Sequence, residues 1–120
     1  FLGDVFFYTI HRTLHIPRFY YLHKTHHEFS NPYGMGAIYC SPFEMVTANL
    51  MALLFPIYLL EIPENIVNIM IFVMTFWTVY MSHSNLQDMN NSHVIHHRKL
   101  KCNYGLFITD RIMGTKEKKM

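Results

Sequence analysis

One histidine pattern, H-x-x-H-H, occurs twice in the chain and constrains its fold more than any other feature. The first copy begins at His23 and the second at His93, and a shorter H-x-x-x-H pair begins at His11. Because positions i, i+3 and i+4 share one face of an α-helix, each box is predicted to aim its three imidazoles in one direction. Packing does not require imidazole, and clustered imidazolium groups would repel one another near their pKa of about 6.5. The repeated spacing therefore indicates metal ligands rather than isolated core or surface histidines.

The number of histidines indicates two metal ions rather than one. The candidate ligands are all nine histidines of the chain: His11, His15, His23, His26, His27, His83, His93, His96 and His97. Imidazole suits zinc, copper, nickel and iron, and one zinc takes about three or four protein ligands. Only Glu28 adjoins a box, which argues against the glutamate-rich di-iron bundles of soluble proteins. We expect two ions, each with room for a small ligand such as dioxygen.

The apolar part of the chain predicts an all-α integral membrane protein. Apolar residues make up 51% of the sequence and charged residues 15%, against about a quarter charged in soluble domains. Two apolar runs, 45–60 and 66–81, flank the turn Glu61–Asn65, which predicts a membrane hairpin over 45–81. Each run has about 16 residues, fewer than the roughly 20 that cross a bilayer, so full crossing and re-entry both stay open.

Charge predicts the orientation of this hairpin. Its two legs return the chain to the starting side, so boxes before and after it can share one site. All Lys and Arg lie at 12–24 or 98–119, whereas the turn carries only Glu61 and Glu64. By the positive-inside rule, the histidines form a cytosolic, histidine-rich helical cap. Cys40 and Cys102 make no disulfide framework, which suits a reducing compartment. The net charge of +2 is too small to indicate a nucleic-acid partner.

Proline and asparagine positions predict three helices that carry the histidines. Pro17 disfavours helix at the residue before it, so a first helix is expected to end near His15. A second helix is predicted from Pro17 to about Glu28, ended by the turn cluster 30–36. Asn91 or Ser92 is the expected N-cap of the helix that holds the second box.

Taken in order, these motifs resemble the fatty acid hydroxylase / sterol desaturase superfamily. The resemblance extends beyond the boxes and covers nearly the whole chain. Its further elements are Asp4 and Tyr8 before the first pair, Ser41-Pro42 with Glu44, Asn103-Tyr104-Gly105, Asp110-Arg111 and Gly114-Thr115. It implies a single fatty acid hydroxylase-like domain over residues 1–120.

The resemblance also implies an activity. Members are oxygenases of the endoplasmic reticulum membrane with a di-iron centre and dioxygen as oxidant. They take electrons through a cytochrome b-type donor and its reductase, and they hydroxylate or desaturate sterols or fatty-acyl lipids. Asp4, Glu28 and Asp110 are the expected carboxylates that orient ligand imidazoles, with ordinary surface or capping roles as the alternative.

Two positions depart from the family pattern. Some members place a further histidine four residues after the one that matches His83, where this chain has Gln87. An aromatic residue often precedes the closing Asp-Arg, where this chain has Thr109. His83 is therefore expected either as a ligand or as a polar residue at a helix end. The boxes choose neither between sterol and acyl substrates nor between hydroxylation and desaturation.

A non-catalytic alternative fits the same boxes: a membrane protein that holds zinc, or a degenerate relative of an active enzyme. The missing histidine at 87 and the short chain favour it, and the intact boxes disfavour it. Because zinc does not cycle electrons, redox turnover distinguishes the oxygenase from the zinc-holding protein. The end, Lys116–Met120, matches a dilysine retrieval signal if Met120 is the true C-terminus, with a solvated charged end as the alternative. The start at Phe1 allows an N-terminal truncation.

Overall fold

The structure is a computed structural model, and it describes residues 1–84 and 92–117. Within these residues all regular secondary structure is helical, as predicted. The α-helices are α1 (Leu2–Leu14), α2 (Pro42–Glu44), α3 (Met51–Leu59), α4 (Glu64–Phe76), α5 (Ser92–Lys99) and α6 (Thr109–Ile112). The 3₁₀ turns are Tyr20–Leu22, His26–Glu28 and Gly34–Ile38, and the π-helical turns are Met45–Leu50 and Trp77–Ser82. Gln87, Asn91 and the last three residues of the predicted retrieval signal lie outside the described residues.

The two apolar runs form two long helices, which confirms the predicted helical segments. Pro42–Leu59 has 18 residues and Glu64–Ser82 has 19, and both are long and apolar enough to cross a membrane. At 1.5 Å per residue they measure about 27 and 29 Å, close to the hydrocarbon thickness of a bilayer. No residue of α4 is buried, and its Ile69 and Phe72 side chains are 64% and 72% exposed. Apolar side chains exposed along a whole helix indicate contact with lipid.

Both long helices contain a π-helical turn at the end nearest the histidines. Met45–Leu50 follows the short helix α2, and Trp77–Ser82 continues α4. π-Helical turns are rare, and they are found frequently at functional sites. The two turns line the same apolar cavity, described below.

The predicted helix from Pro17 to Glu28 is wrong. This stretch holds two short 3₁₀ turns instead, because most of its backbone bonds join residues three apart, as from His26 N to His23 O at 3.0 Å and from Glu28 N to Thr25 O at 3.2 Å. Aromatic and β-branched residues such as Phe19 and Thr25 are poor helix formers, which leaves the local backbone free to follow tertiary packing. The predicted end of the first helix is confirmed, since α1 stops at Leu14 with His15 as its C-cap.

α1 crosses α3 at very short range. A Cβ added to Gly3 would lie 2.7 Å from the carbonyl oxygen of Ala52, so only glycine allows this approach. One turn further along, the rings of Phe6 and Phe55 stack with their centroids 5.4 Å apart. These contacts fix α1, and with it the His11/His15 pair, against the first long helix.

A buried carboxylate holds the C-terminal segment to α1. Asp4 accepts hydrogen bonds from four consecutive backbone N–H groups, those of residues 106–109, and from the hydroxyl of Thr109, at 2.7–3.1 Å. Asp110 accepts from the backbone N–H groups of Tyr104 at 2.8 Å and Gly105 at 2.6 Å. A Cβ at Gly105 would lie 3.0 and 3.1 Å from these two carboxylates, which explains the glycine.

Candidate metal centre

Five imidazoles from three segments converge on one point. This five-histidine cluster comprises His11, His15, His23, His27 and His96. The Nε2···Nε2 distances between neighbouring rings are 2.9–3.2 Å. At a metal–nitrogen distance of about 2.1 Å, nitrogens 90° apart are separated by about 3.0 Å and tetrahedral neighbours by about 3.4 Å. The observed spacing therefore matches an ion with five or six ligands better than a tetrahedral one.

The other four imidazoles form a second cluster beside the first. This four-histidine cluster comprises His26, His83, His93 and His97, and all four side chains are buried. The structure thus brings His83 together with the boxes, at an Nε2···Nε2 distance of 3.4 Å from His26. The clusters adjoin, since the ring centroids of His27 and His97 are 4.6 Å apart.

Each H-x-x-H-H box supplies both clusters, in opposite ways. In the first box the outer members enter the five-histidine cluster and the middle one, His26, enters the other. In the second box the middle member, His96, enters the five-histidine cluster and the outer members enter the other. The expectation that each box aims three imidazoles in one direction is therefore too simple.

Backbone carbonyls orient five of the imidazoles. The ring Nδ1 atoms of these five donate to carbonyl oxygens at 2.7–3.2 Å. The pairs are His11 with Tyr104, His26 with Tyr39, His83 with Thr78, His96 with Cys102 and His97 with Phe29. Because a carbonyl only accepts, each Nδ1 carries the proton in the neutral ring and each Nε2 lone pair faces the cluster. This is the arrangement in which proteins hold metal-binding histidines.

A sixth imidazole is oriented by a carboxylate that the sequence reasoning did not single out as a site residue. The Nδ1 atom of His23 lies 2.8 Å from Oε1 of Glu44, and both side chains are buried. A sequence signal did exist, because Glu44 is an acid at the start of an apolar run. Buried carboxylates are rare unless they are paired.

The three carboxylates expected to orient imidazoles bond to other groups in the structure. Asp4 and Asp110 bind the segment 104–109, and Glu28 accepts from the hydroxyl of Tyr39 at 2.8 Å. The backbone carbonyls of Tyr104 and Tyr39 accept from His11 and His26, as described above. One tyrosine therefore lies between Glu28 and its nearest oriented imidazole, and another lies between Asp110 and its nearest one. The contacts of Asp4 are further from the imidazoles.

Burial keeps these histidines neutral. It lowers the pKa of His15 and of His26 from 6.5 to about 4, with the charge of neighbouring His26 adding to the effect on His15. Burial and the charges of neighbouring imidazoles also lower the pKa of His96 to about 3. The pKa values of His11 and His93 lie well below 6.5 for the same reasons. Neutral imidazole is the form that binds metal ions, so the site is available near neutral pH.

The residues present fit a bound cation. His11 and His23 approach Nε2 to Nε2 at 3.0 Å, although Nδ1 of His11 donates to a carbonyl oxygen and Nδ1 of His23 lies 2.8 Å from a carboxylate oxygen that can hold its proton. Two lone pairs would then face each other in a buried site, which is unfavourable without a cation between them. In the other cluster, Nε2 of His97 is buried and has no hydrogen-bond partner among the described residues. A metal ion in each cluster would satisfy both requirements.

An apolar cavity of about 160 Å³ lies beside the two clusters. Its lining includes Phe7, whose ring centroid is 5.0 Å from that of His11, and Thr78, whose carbonyl accepts from His83. Met45 and Met74 are also among its lining residues. The cavity offers an apolar group a place next to the two histidine clusters.

Comparison with known proteins decides the family. The model of the fatty acid hydroxylase family matches residues 1–115. The chain belongs to the fatty acid hydroxylase family. This membership confirms the resemblance to the family that was drawn from the histidine boxes and their flanking motifs.

Several curated proteins are similar to parts of the chain. Fatty acid hydroxylase ahd1 of Mycosarcoma maydis is 50% identical over 54 residues, which are 44% of this chain and 14% of that protein. Methylsterol monooxygenase 1 of Gallus gallus is 50% identical over 44 residues, 36% of this chain and 15% of that protein. Human fatty acid hydroxylase domain-containing protein 2 is 41% identical over 51 residues, 42% of this chain and 15% of that protein. The matches thus span about a seventh of these relatives' lengths. No solved structure matches the chain.

Proposed function

We propose that this chain forms the catalytic core of a membrane-bound di-iron oxygenase that hydroxylates or desaturates a sterol or fatty-acyl lipid. One observation carries the proposal: nine imidazoles converge in two adjoining clusters next to an apolar cavity. Family membership and the names of the similar hydroxylase and monooxygenase support the same chemistry. The 2.9–3.2 Å spacing in the five-histidine cluster favours iron, with its higher coordination numbers, over tetrahedral zinc.

The protein's own residues have three tasks in this proposal. The five-histidine cluster would hold one iron and the four-histidine cluster the other, and bound irons would supply activation of dioxygen for attack on a C–H bond. The carbonyls of residues such as Tyr104 and Thr78 keep the imidazoles oriented and neutral. The apolar lining of the cavity excludes water and orients the lipid, so that the carbon to be oxidised lies near the histidines.

The proposed orientation follows from charge and helix length. The two long helices would form a hairpin across the endoplasmic reticulum membrane, with the histidine cap and the C-terminus in the cytosol. A cytochrome b-type donor and its reductase would then reach the cap from the cytosol. An open cavity of about 640 Å³ lined by Arg12, His15 and Tyr104 leads to the five-histidine cluster and would admit small molecules or bring a donor close.

Metal content tests the proposal first. We expect about two irons per chain after anaerobic purification in detergent, with a spectrum that changes on adding reductant and then oxygen. His26→Ala and His96→Ala each remove a ligand from a different cluster, so lipid oxidation should be lost while membrane insertion persists. Stoichiometric zinc without a redox response, despite iron-replete expression, would instead support the zinc-holding alternative.

A cavity variant tests the substrate part of the proposal separately. Leu53 lines the cavity, so Leu53→Trp should abolish turnover of sterol or acyl lipid by filling the space while the iron content stays at the parent value. Leu54 is the matched control, because its side chain is 46% exposed on the outer face of the same helix. Equal turnover of the Leu53→Trp and Leu54→Trp variants would show that the lipid binds elsewhere.

A further inference from the structure

The motif Ser41-Pro42-Phe43-Glu44 contacts the His23 segment at two points. The hydroxyl of Ser41 donates to the carbonyl oxygen of Leu22 at 2.5 Å, next to His23 in the chain. The carboxylate of Glu44 lies 2.8 Å from Nδ1 of His23 itself. One contact fixes the backbone and the other fixes the imidazole, so the start of the first long helix determines both the position and the rotation of this ring.

The local sequence predicts a different partner for the Glu44 carboxylate, the backbone N–H of Ser41. Ser41 and Glu44 are spaced as in a capping box, in which the serine accepts from the backbone N–H of the third helical residue and its glutamate bonds back to the serine N–H. The first half of the box is present, since Ser41 Oγ accepts from Glu44 N at 3.2 Å. The carboxylate lies against His23 instead, so Glu44 contacts a histidine of the five-histidine cluster rather than completing the capping box.

This contact differs chemically from those of the other oriented imidazoles. Five rings donate to neutral backbone carbonyls, whereas His23 faces a carboxylate that is only 4% exposed. A carboxylate beside Nδ1 raises the basicity of the ring, which makes the opposite nitrogen a stronger metal ligand. His23 belongs to the five-histidine cluster, so the effect would act on one of the two ions.

We infer that Glu44 is a positioning residue that strengthens metal binding at the five-histidine cluster and makes its ion chemically different from that of the four-histidine cluster. The inference rests on the proposed metal centre, and it is independent of which lipid is oxidised.

Release of cobalt(II) from the whole chain in detergent tests this inference. Cobalt(II) loaded anaerobically reports its ligands through its visible spectrum, and a chelator should remove the two ions in two separate phases. In the Glu44→Gln variant, which keeps the shape but loses the charge, one phase should be about 10- to 100-fold faster and the other unchanged. Only the part of the spectrum that belongs to the faster ion should shift.

Glu64→Gln is the matched control, because Glu64 also lies in the first turn of a long helix and is exposed. Should Glu44→Gln fail to accumulate, Glu44→Asp keeps the charge on a shorter side chain and should accelerate the same phase by a smaller factor. Release from Glu44→Gln that equals the Glu64→Gln control overturns the inference, and so does equal acceleration of both phases, which indicates general loosening. A parent protein that binds no cobalt would instead refute the proposed metal centre.

Discussion

Replacing Asp4 by asparagine should detach the C-terminal segment from α1. Asparagine has nearly the same shape, but only one of its two terminal atoms accepts hydrogen bonds. In the structure each carboxylate oxygen serves its own pair of backbone N–H groups, Oδ1 those of Leu106 and Phe107 and Oδ2 those of Ile108 and Thr109. One pair would therefore face an amide NH₂ group instead of an acceptor.

The expected loss of stability follows from this count. A hydrogen bond to a charged group contributes about 1.5–3 kcal/mol, so loss of two such bonds costs about 3 kcal/mol or more. For a domain of this length, 1 kcal/mol corresponds to roughly 4 °C in melting temperature, and the Asp4→Asn variant should melt about 10 °C lower. Metal binding should weaken too, because the carbonyl of Tyr104, next to this segment, orients His11.

Thermal denaturation of the detergent-solubilised protein, followed by size-exclusion chromatography, measures the effect. Glu61→Gln is the control, since Glu61 lies exposed in the turn between the long helices. If Asp4→Asn melts within about 2 °C of the Glu61→Gln control, the bonds to residues 106–109 do not hold the segment, and the reasoning fails.

Two further predictions concern pH and helix packing. Because burial lowers the pKa of His26 from 6.5 to about 4, the unfolded chain binds more protons between these values, and metal-free protein should lose stability as pH falls below about 6.5, by about 3 kcal/mol from this residue alone. Melting temperatures from pH 8 to pH 4 check this, and a flat profile would contradict it. Gly3→Ala places a Cβ 2.7 Å from the carbonyl oxygen of Ala52 and should destabilise the protein by about 1–3 kcal/mol. Gly114→Ala is the comparison variant, because Gly114 has open space around it and only its positive φ disfavours alanine. Equal melting temperatures of the Gly3→Ala variant and the parent would show that α1 can move away from the first long helix.

The sequence predicted the parts of the molecule that depend on periodicity and composition. Nine clustered histidines, the two apolar helices and the stop of α1 before Pro17 all follow from local patterns. The distribution of the histidines between the two clusters does not, because both boxes have the same spacing and only long-range packing distinguishes them. The middle histidines, His26 and His96, therefore enter different clusters although their boxes are identical in pattern.

The backbone around the first box was mispredicted for a related reason. Local signals after Pro17 favoured an α-helix, but Ser41 and Glu44, at the distant start of the first long helix, contact Leu22 and His23. These contacts and the demands of two clusters decide the geometry, and neither has a local signature. The contact of Glu44 with His23 was not predicted, because a single acid ahead of an apolar run is equally typical of a helix N-terminus.

The use of backbone carbonyls as imidazole acceptors has a consequence for mutagenesis. An alanine scan removes side chains and leaves every carbonyl in place, so it would not detect the contribution of the five carbonyls that orient five of the nine histidines. These positions are Phe29, Tyr39, Thr78, Cys102 and Tyr104. The orientation of these five rings should therefore tolerate side-chain substitution at the carbonyl positions, whereas the orientation of His23 is expected to depend on one side chain, that of Glu44.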